Sequence, residues 1–331
     1  MGVDKLIDNS FRGCILISRE EQSIFEKAYG YADLPNEIPN QIDTKFASAS
    51  AGKVFVAVAI LQLVEKGMLH LEDTIGNLLD VDLKQIDPAI TVEELLTHTS
   101  GIPDYFDESV MDEYEELWRD YPNYKIRSNK DLIPLFIDKP MMYPRGSKFQ
   151  YNNTGFVVLA LIIERVTGSA FDEYINENIF KPCKMSGSGY YELDRLPAKC
   201  AVNYIYDEEH KNYRTNIFSV DAKGTGAGGA FITVKDIKSF WENLISGKLL
   251  SNDMVSEMLS NHSNGAECYG YGIWLKKRGE VFTPYFQGCD PGVSFISSYN
   301  LQREQLLILV SNYGDNVWKL HKSINEYFEN E

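Results

Sequence analysis

Residues 46–56 read FASASAGKVFV and open a long apolar segment. They place a serine, two small residues and a lysine at the head of a helix that the apolar pattern predicts over residues 50–66. A lysine ammonium within such a helix is costly, because it loses hydration that apolar neighbours do not replace. A chain that keeps Lys53 there either pairs its charge or uses its amine.

Ser50 and Lys53 are three residues apart, so they lie on one face of the predicted helix. A serine hydroxyl needs a nearby base before it attacks a carbonyl group. An amine in a dry pocket has a lowered pKa and can be that base. Ser50 also lies at the helix N-terminus, where free backbone N–H groups favour developing negative charge. Taken alone, the tetrad favours an N-capping Ser50 and a Lys53 side chain that reaches solvent.

Composition and charge argue against several classes of function. A hydrophobic content of 44% and a charged content of 24% are typical of a globular protein. The net charge of -16 argues against a nucleic-acid partner and against an anionic membrane surface. No apolar run reaches the roughly 18 residues of a spanning helix. Neither a nucleic-acid partner nor a membrane span is therefore expected; we expect a small-molecule or peptide substrate as the partner, on the grounds given below, and the sequence does not indicate the oligomeric state.

The cysteines and histidines do not suggest a metal or cofactor site. The five cysteines lack CxxC spacing, and the five histidines are scattered without an HExxH pattern. The glycine-rich GTGAGG, residues 224–229, lacks the βαβ context of a nucleotide site. We therefore expect no metal and no cofactor. The N-terminus has no basic segment followed by an apolar one, so we expect a cytoplasmic protein, or an exported one whose signal peptide has been removed.

Predicted strands lie at both ends of the chain and predicted helices lie between them. The strand pattern covers residues 13–18, 23–32, 269–276, 281–287, 293–299 and 305–312. Short connections among the last four strands favour antiparallel pairing. We expect an α+β fold in which both chain ends form one antiparallel sheet, flanked by helices, with an inserted all-helical lobe. The predicted domains are residues 1–46 with 220–331, and residues 47–219, with the active site at their junction.

Four segments in this order resemble the serine β-lactamase and penicillin-binding-protein-like family, in its class C β-lactamase, esterase and D-aminopeptidase branch. They are FASASAGKVFVAVAILQLVEKGMLHLEDTIGNLL, ITVEELLTHTSGIPDY, YPRGSKFQYNNTGFVVLALIIERVTG and GAGGAFITVKDIKSF. The resemblance runs from about residue 12 to the end and implies a β-lactamase-like fold. In this family the HTSG segment, residues 98–101, is a structural turn rather than a catalytic histidine site.

The resemblance implies a set of site residues. Ser50 and Lys53 match the family's nucleophile and its neighbouring lysine. Tyr151 and Asn153, in YNN, match its Tyr-x-Asn element, in which the tyrosine moves the nucleophile's proton to the leaving group. A phenolate near an ammonium group is stabilised, so we expect Tyr151 to act as a base near neutral pH. Asn153 can accept from Lys53 and donate to a substrate carbonyl.

The third family element departs from the pattern. Where the family has Lys-Thr-Gly or His-x-Gly, this chain has Phe286, Gln287 and Gly288, so the cation is missing. The Cys289 N–H matches the second oxyanion donor, with the Ser50 N–H as the first. We expect poor recognition of substrate carboxylates, reinforced by Asp290 and by the acidic residues 107–116. A lysine or arginine from another loop could replace the cation.

These features predict a serine hydrolase that forms an acyl-enzyme on Ser50 with ester, amide or peptide substrates, neutral or bearing a free amine. One alternative is a penicillin-binding or sensor module that is acylated with little turnover. Another is a catalytically silent scaffold, suggested by the missing cation.

Overall fold

The chain folds around a sheet that is built from both of its ends. The structure is a computed structural model that describes residues 2–263 and 265–330. Its strands are β1 Gly13–Arg19, β2 Gln22–Tyr29, β3 Tyr31–Asp33, β4 Ile38–Pro39, β5 Phe46–Ala47, β6 Tyr204–Asp207, β7 Asn212–Thr215, β8 Phe231–Ile232, β9 Trp274–Arg278, β10 Val281–Asp290, β11 Val293–Asn300 and β12 Gln305–Ser311. The main sheet is antiparallel, in the order β2-β1-β12-β11-β10-β9.

Helices cover the sheet and fill the middle of the chain. They are α1 Lys53–Glu65, α2 Ile75–Leu78, α3 Val92–Leu96, α4 Asn153–Thr167, α5 Phe171–Ile175, α6 Val234–Ile245, α7 Asn252–Met258 and α8 Val317–Glu329. Short 3-10 turns join them, including Ala49–Gly52 directly before α1. This arrangement confirms the predicted α+β fold of β-lactamase type.

Strand β12 shows why the sheet has two covered faces. Leu307 and Leu309 belong to an apolar cluster with α8, whereas Leu306, Ile308 and Val310 belong to the large core on the other face. Side chains alternate between the faces of a strand, so a strand covered on both sides is apolar throughout. The continuous QLLILV run of β12 has this cause.

Helix α1 forms the centre of the large core. Its residues from Lys53 to Leu63 are all buried, which explains an apolar pattern on every face of the helix. Helix α4 packs against it. The Asn152 side chain accepts a hydrogen bond from the Gly155 N–H at the start of α4, and Gly168 ends this helix in the left-handed conformation. These caps fix where Asn153 enters the core.

Two segments differ from the expectation. The strand expected over residues 269–276 begins only at Trp274, because Gly270 N–H bonds to the Ile273 carbonyl and Gly272 turns the chain with φ +68°. The middle of the chain, expected to be all-helical, also contains the β6–β7 hairpin. The division into the two predicted domains stays a prediction.

Among the described residues, no single helix has the length and apolar character needed to cross a membrane, although the bent pair Asn153–Thr167 and Phe171–Phe180 together meets that length and composition.

Candidate active site

The turn that carries Ser50 is held tightly between two glycines. A Cβ on Gly288 of β10 would lie 2.2 Å from the Ser48 carbonyl oxygen and 2.7 Å from the Ser50 nitrogen. A Cβ on Gly228 would lie 2.4 Å from the Ala49 carbonyl oxygen. Ala49 itself adopts φ +47°, a conformation that is uncommon for a residue with a side chain. The backbone around Ser50 therefore depends on close approach from both sides.

Lys53 lies at the centre of a compact polar cluster. Its side chain is 2% exposed, and its Nζ lies 2.9 Å from Ser50 Oγ, 2.9 Å from Asn153 Oδ1 and 2.5 Å from the Ala227 carbonyl oxygen. Burial is the main cause that lowers the pKa of Lys53 to about 8. The alternative in which Lys53 reaches solvent is therefore wrong.

These three contacts suit both protonation states of the amine. An ammonium can donate to all three oxygens. A neutral amine can donate to Asn153 Oδ1 and the Ala227 carbonyl, and its lone pair can accept the Ser50 hydroxyl proton. Because the pKa of Lys53 is about 8, both states are populated near neutral pH. The arrangement can remove a proton from Ser50.

Tyr151 contacts the same cluster, but its expected role as a base is wrong. Its hydroxyl is hydrogen-bonded to Ser50, and Lys53 Nζ lies 4.9 Å from its ring centroid. Burial nevertheless raises the pKa of Tyr151 well above its ordinary value, and Glu108 raises it further. The phenol is therefore protonated at neutral pH in the free protein. It can relay a proton but cannot begin the reaction as a base.

Asp104 positions the YNN segment, a role that sequence reasoning missed. Its carboxylate accepts hydrogen bonds from the Asn153 N–H at 2.8 Å and the Thr154 N–H at 3.1 Å. Asn153 Oδ1 faces Lys53 as expected, and Asn153 Nδ2 donates to the Phe106 carbonyl at 3.2 Å. Asp104 lies in the quoted IPDY segment, but no local pattern distinguished it from the acidic residues that follow.

The HTSG turn supports Tyr151 from behind, in agreement with its structural role. His98 is buried, its Nδ1 accepts from the Asn152 N–H at 3.1 Å, and its ring centroid lies 4.5 Å from that of Tyr151. Trp274 stacks on Tyr151 with ring centroids 5.7 Å apart. Burial lowers the pKa of His98 well below its ordinary value, so the imidazole is neutral.

Only part of the third family element, residues 286–289, lies at the site. Cys289 lines the cavity beside Ser50, as its expected oxyanion role requires. Phe286 does not line it, because its ring packs in the core against Trp241. Gln287 points to the opposite face of the sheet, where its Oε1 accepts from Trp318 Nε1 at 2.8 Å. The expectation that Phe286 and Gln287 contact substrate is therefore wrong.

The cavity in front of Ser50 has a volume of about 620 Å³ and an acidic lining. Its carboxyl side chains are Glu108, Asp112, Glu113, Glu115, Asp221 and Asp290. Arg214 is the cation among its described lining residues, and Arg214 Nη2 pairs with Glu115 at 2.7 Å. No unpaired cation in this lining replaces the missing one. No group of three or more described His, Cys, Asp or Glu side chains is arranged to hold a metal.

Comparison with known proteins assigns the family. A family profile described as Beta-lactamase matches residues 5–312, which include the Ser50 turn and the YNN segment. The chain belongs to the beta-lactamase family. A penicillin-binding protein from Bacillus halodurans is 36% identical, with a TM-score of 0.94 over 98% of this chain and 99% of that chain.

Other relatives include proteins named as hydrolases. The teichoic acid D-alanine hydrolase of Staphylococcus aureus is 27% identical over 86% of this chain and 70% of its own length. The putative penicillin-binding protein PbpX of Bacillus subtilis is 29% identical over 96% of this chain and 75% of its own length. A D-amino acid amidase from Ochrobactrum anthropi, 21% identical with a TM-score of 0.81 over 99% of this chain and 97% of its own, shares the fold.

Proposed function

We propose that this protein is a serine hydrolase that forms an acyl-enzyme on Ser50. The observation that carries the proposal is the buried Lys53 amine, 2.9 Å from Ser50 Oγ, with its other contacts to Asn153 and the Ala227 carbonyl. Neutral Lys53 accepts the Ser50 proton while Ser50 Oγ bonds to the acyl carbon. The proton passes through Tyr151 to the leaving group as its bond to that carbon breaks. Water then takes the place of the leaving group: its oxygen bonds to the acyl carbon as its proton returns through Tyr151 to Lys53, and Lys53 gives the proton back to Ser50 Oγ as the acyl–Oγ bond breaks and the acid is released.

The proposed substrates are esters or amides whose acyl part bears a free amine. Glu108, Asp221 and Asp290 line the cavity, and none of them forms an ion pair within residues 2–263 and 265–330. Burial raises the pKa of Asp221 to about 8 and that of Asp290 to about 7. An ammonium between such carboxyls favours their ionised form and replaces the hydration they have lost.

An unpaired acceptor in the same cavity supports this substrate class. Asn203 lines the cavity at 3% exposure, and its Oδ1 is buried without a hydrogen-bond donor. A buried acceptor without a donor costs about 1–3 kcal/mol, which an N–H group of the substrate can offset. The relative named teichoic acid D-alanine hydrolase acts on a group that carries such an amine. Among the described lining residues, the cation that a substrate carboxylate meets is Arg214, which is already paired with Glu115.

A pair of anilides tests the reaction and the substrate class together. D-alanine p-nitroanilide and propionic acid p-nitroanilide differ only in the amino group, and a chromogenic cephalosporin supplies the carboxylate. We expect kcat/KM for the amine-bearing anilide to exceed that of its partner by about tenfold or more, equivalent to 1.4 kcal/mol. Asp221→Asn should remove most of that preference, whereas Asp253→Asn, on the exposed part of α7, should keep it.

Three other outcomes would contradict the proposal in different ways. Higher turnover of the cephalosporin would overturn the amine preference. A lasting cephalosporin adduct on Ser50 without turnover would indicate a penicillin-binding or sensor module. Absence of both turnover and labelling by a fluorophosphonate would indicate a silent scaffold.

Replacement of Gly288 by alanine should lower activity by disturbing the Ser50 turn. The new Cβ would overlap backbone atoms of Ser48 and Ser50, which cannot move aside as a flexible side chain could. A displacement near an ångström costs about 100-fold in kcat/KM, and we expect a loss of that order with a lowered melting temperature. Gly155→Ala is the matched control, since the nearest atom outside its own helix backbone, Leu95 Cδ2, would lie 3.6 Å from its Cβ. Wild-type kinetics in Gly288→Ala would show that this close approach is dispensable.

A further inference from the structure

A second cavity lies on the opposite face of the sheet from Ser50. It has a volume of about 320 Å³ and is enclosed by β9, β10, β11 and α8. The strand register places its lining on one face, because Thr283 lies opposite Lys276 and Ser298 lies opposite Tyr285. Gln287, on the side of β10 that faces away from the Ser50 turn, forms part of the same lining.

The charge of this lining is opposite to that of the whole protein. Lys276, Arg278 and Lys322 line the cavity, and Glu329 is its one carboxylate among the described lining residues. Glu329 pairs with Arg278, and Lys322 is 3.8 Å from Glu326. Lys276 has no ion pair within residues 2–263 and 265–330. In a chain of net charge -16, a concave site with unpaired lysine charge favours an anion.

The uncharged groups of the cavity also leave donors available. Gln287 Oε1 already accepts from Trp318 Nε1, so the Gln287 amide nitrogen, which has no partner among the described residues, remains as a donor. Ser298 Oγ lies 2.7 Å from His321 Nε2, and both side chains are more than nine-tenths buried. Burial lowers the pKa of His321 to about 3, so this pair is uncharged at neutral pH. The polar lining therefore offers the Gln287 amide as a free donor beside an uncharged, buried Ser298–His321 pair.

We propose that the cavity between the sheet and α8 binds a small molecule through a phosphate or carboxylate group. Lys276 supplies the unpaired charge, Arg278 lies on the same side of β9, and the Gln287 amide supplies a directed donor. Oxyanions match this set because they offer several acceptors and a negative charge. The site is separate from the Ser50 chemistry, which lies across the sheet.

Calorimetric titration with inorganic phosphate, and separately with succinate, tests the site at constant ionic strength set by sodium chloride. We expect saturable binding of at least one of the two, accompanied by a change in Trp318 fluorescence, since Trp318 lines the cavity. Lys276→Ala should weaken that binding by about tenfold or more, corresponding to the loss of a charge-assisted contact. Lys277→Ala, the next residue of the same strand with its side chain outside this lining, is the matched control and should bind like the wild type.

The two titrations show which anionic group the cavity binds. Binding of phosphate alone indicates a phosphate ligand, and binding of succinate alone indicates a carboxylate ligand. Ser50→Ala should bind either anion unchanged, which separates this site from the proposed hydrolase activity. Absence of saturable binding of both anions, or equal weakening by Lys276→Ala and Lys277→Ala, would overturn the proposal.

Discussion

Replacement of Ser50 by alanine is expected to lower kcat by about 10⁴-fold or more and to abolish labelling by a fluorophosphonate. The hydroxyl is the only atom lost, and it is the atom that lies against both Lys53 and Tyr151. The half-buried position of Ser50 at the cavity means that its removal leaves no closed void in the core. The melting temperature should stay close to that of the wild type. Intact-protein mass spectrometry after exposure to the probe measures the loss directly.

Ser48 provides the matched control for this experiment. It lies two residues away, is 1% exposed, and its Oγ donates to the Ala230 carbonyl at 2.7 Å rather than to the site. Ser48→Ala should destabilise the fold by about 1 kcal/mol through the lost hydrogen bond while retaining labelling. Labelling that persisted in Ser50→Ala, or that disappeared only in Ser48→Ala, would refute Ser50 as the nucleophile.

Replacement of Lys53 by methionine is expected to lower kcat/KM by about 10³-fold, since it removes the group that we propose as the acceptor of the Ser50 proton. Activity of the wild type toward an uncharged ester should rise with pH along a limb with an apparent pKa near 8, as Lys53 loses its proton. The residual activity of Lys53→Met should lack that limb. An uncharged ester is essential, because a substrate amine titrates in the same range.

Burial of Lys53 also determines the direction in which folding stability changes with pH. Its pKa falls from about 10.5 to about 8 on folding, so between these pH values the unfolded chain binds more protons than the folded one. Folding stability therefore rises with pH across this window, and the full cost of burying the charge, about 3 kcal/mol, applies below it. Urea unfolding should show this rise in the wild type and not in Lys53→Met. If the activity of Lys53→Met still rose with pH near 8, the titration seen in the activity of the wild type would belong to a group other than Lys53.

Strand alternation explains the errors at the third element. The sequence aligned Phe286, Gln287 and Gly288 with a family motif, yet adjacent strand residues point to opposite faces. Phe286 and Gly288 share one face, where Phe286 packs in the core and Gly288 meets the Ser50 turn, whereas Gln287 lies on the other. Alternation alone separates Gln287 from Gly288. It does not tell which face carries the site, because β10 is partly apolar on both.

Prediction of the acid and base roles from the sequence is limited in a similar way. The nearness of Lys53 and Tyr151 is predictable from their motifs, but the sign of the Tyr151 pKa shift is not. That sign depends on the balance between burial, with Glu108 nearby, which raises the pKa, and the hydrogen bond with Ser50, which lowers it. Burial is a property of the assembled core, so local sequence could not supply it.

The positions of the helices and strands and the pairing of Ser50 with Lys53 were predictable from the sequence, because both follow from short-range information. An apolar pattern on every face indicates a buried helix, strand patterns at both chain ends indicate the strands of a sheet, and a spacing of three residues places two side chains together. The folded structure was needed to show that Asp104 supports Asn153, that Asp221 faces the cavity near Asp290, and that Lys276 lines a basic cavity across the sheet. These contacts join residues far apart in the chain, and their protonation and charge balance depend on the burial that folding creates.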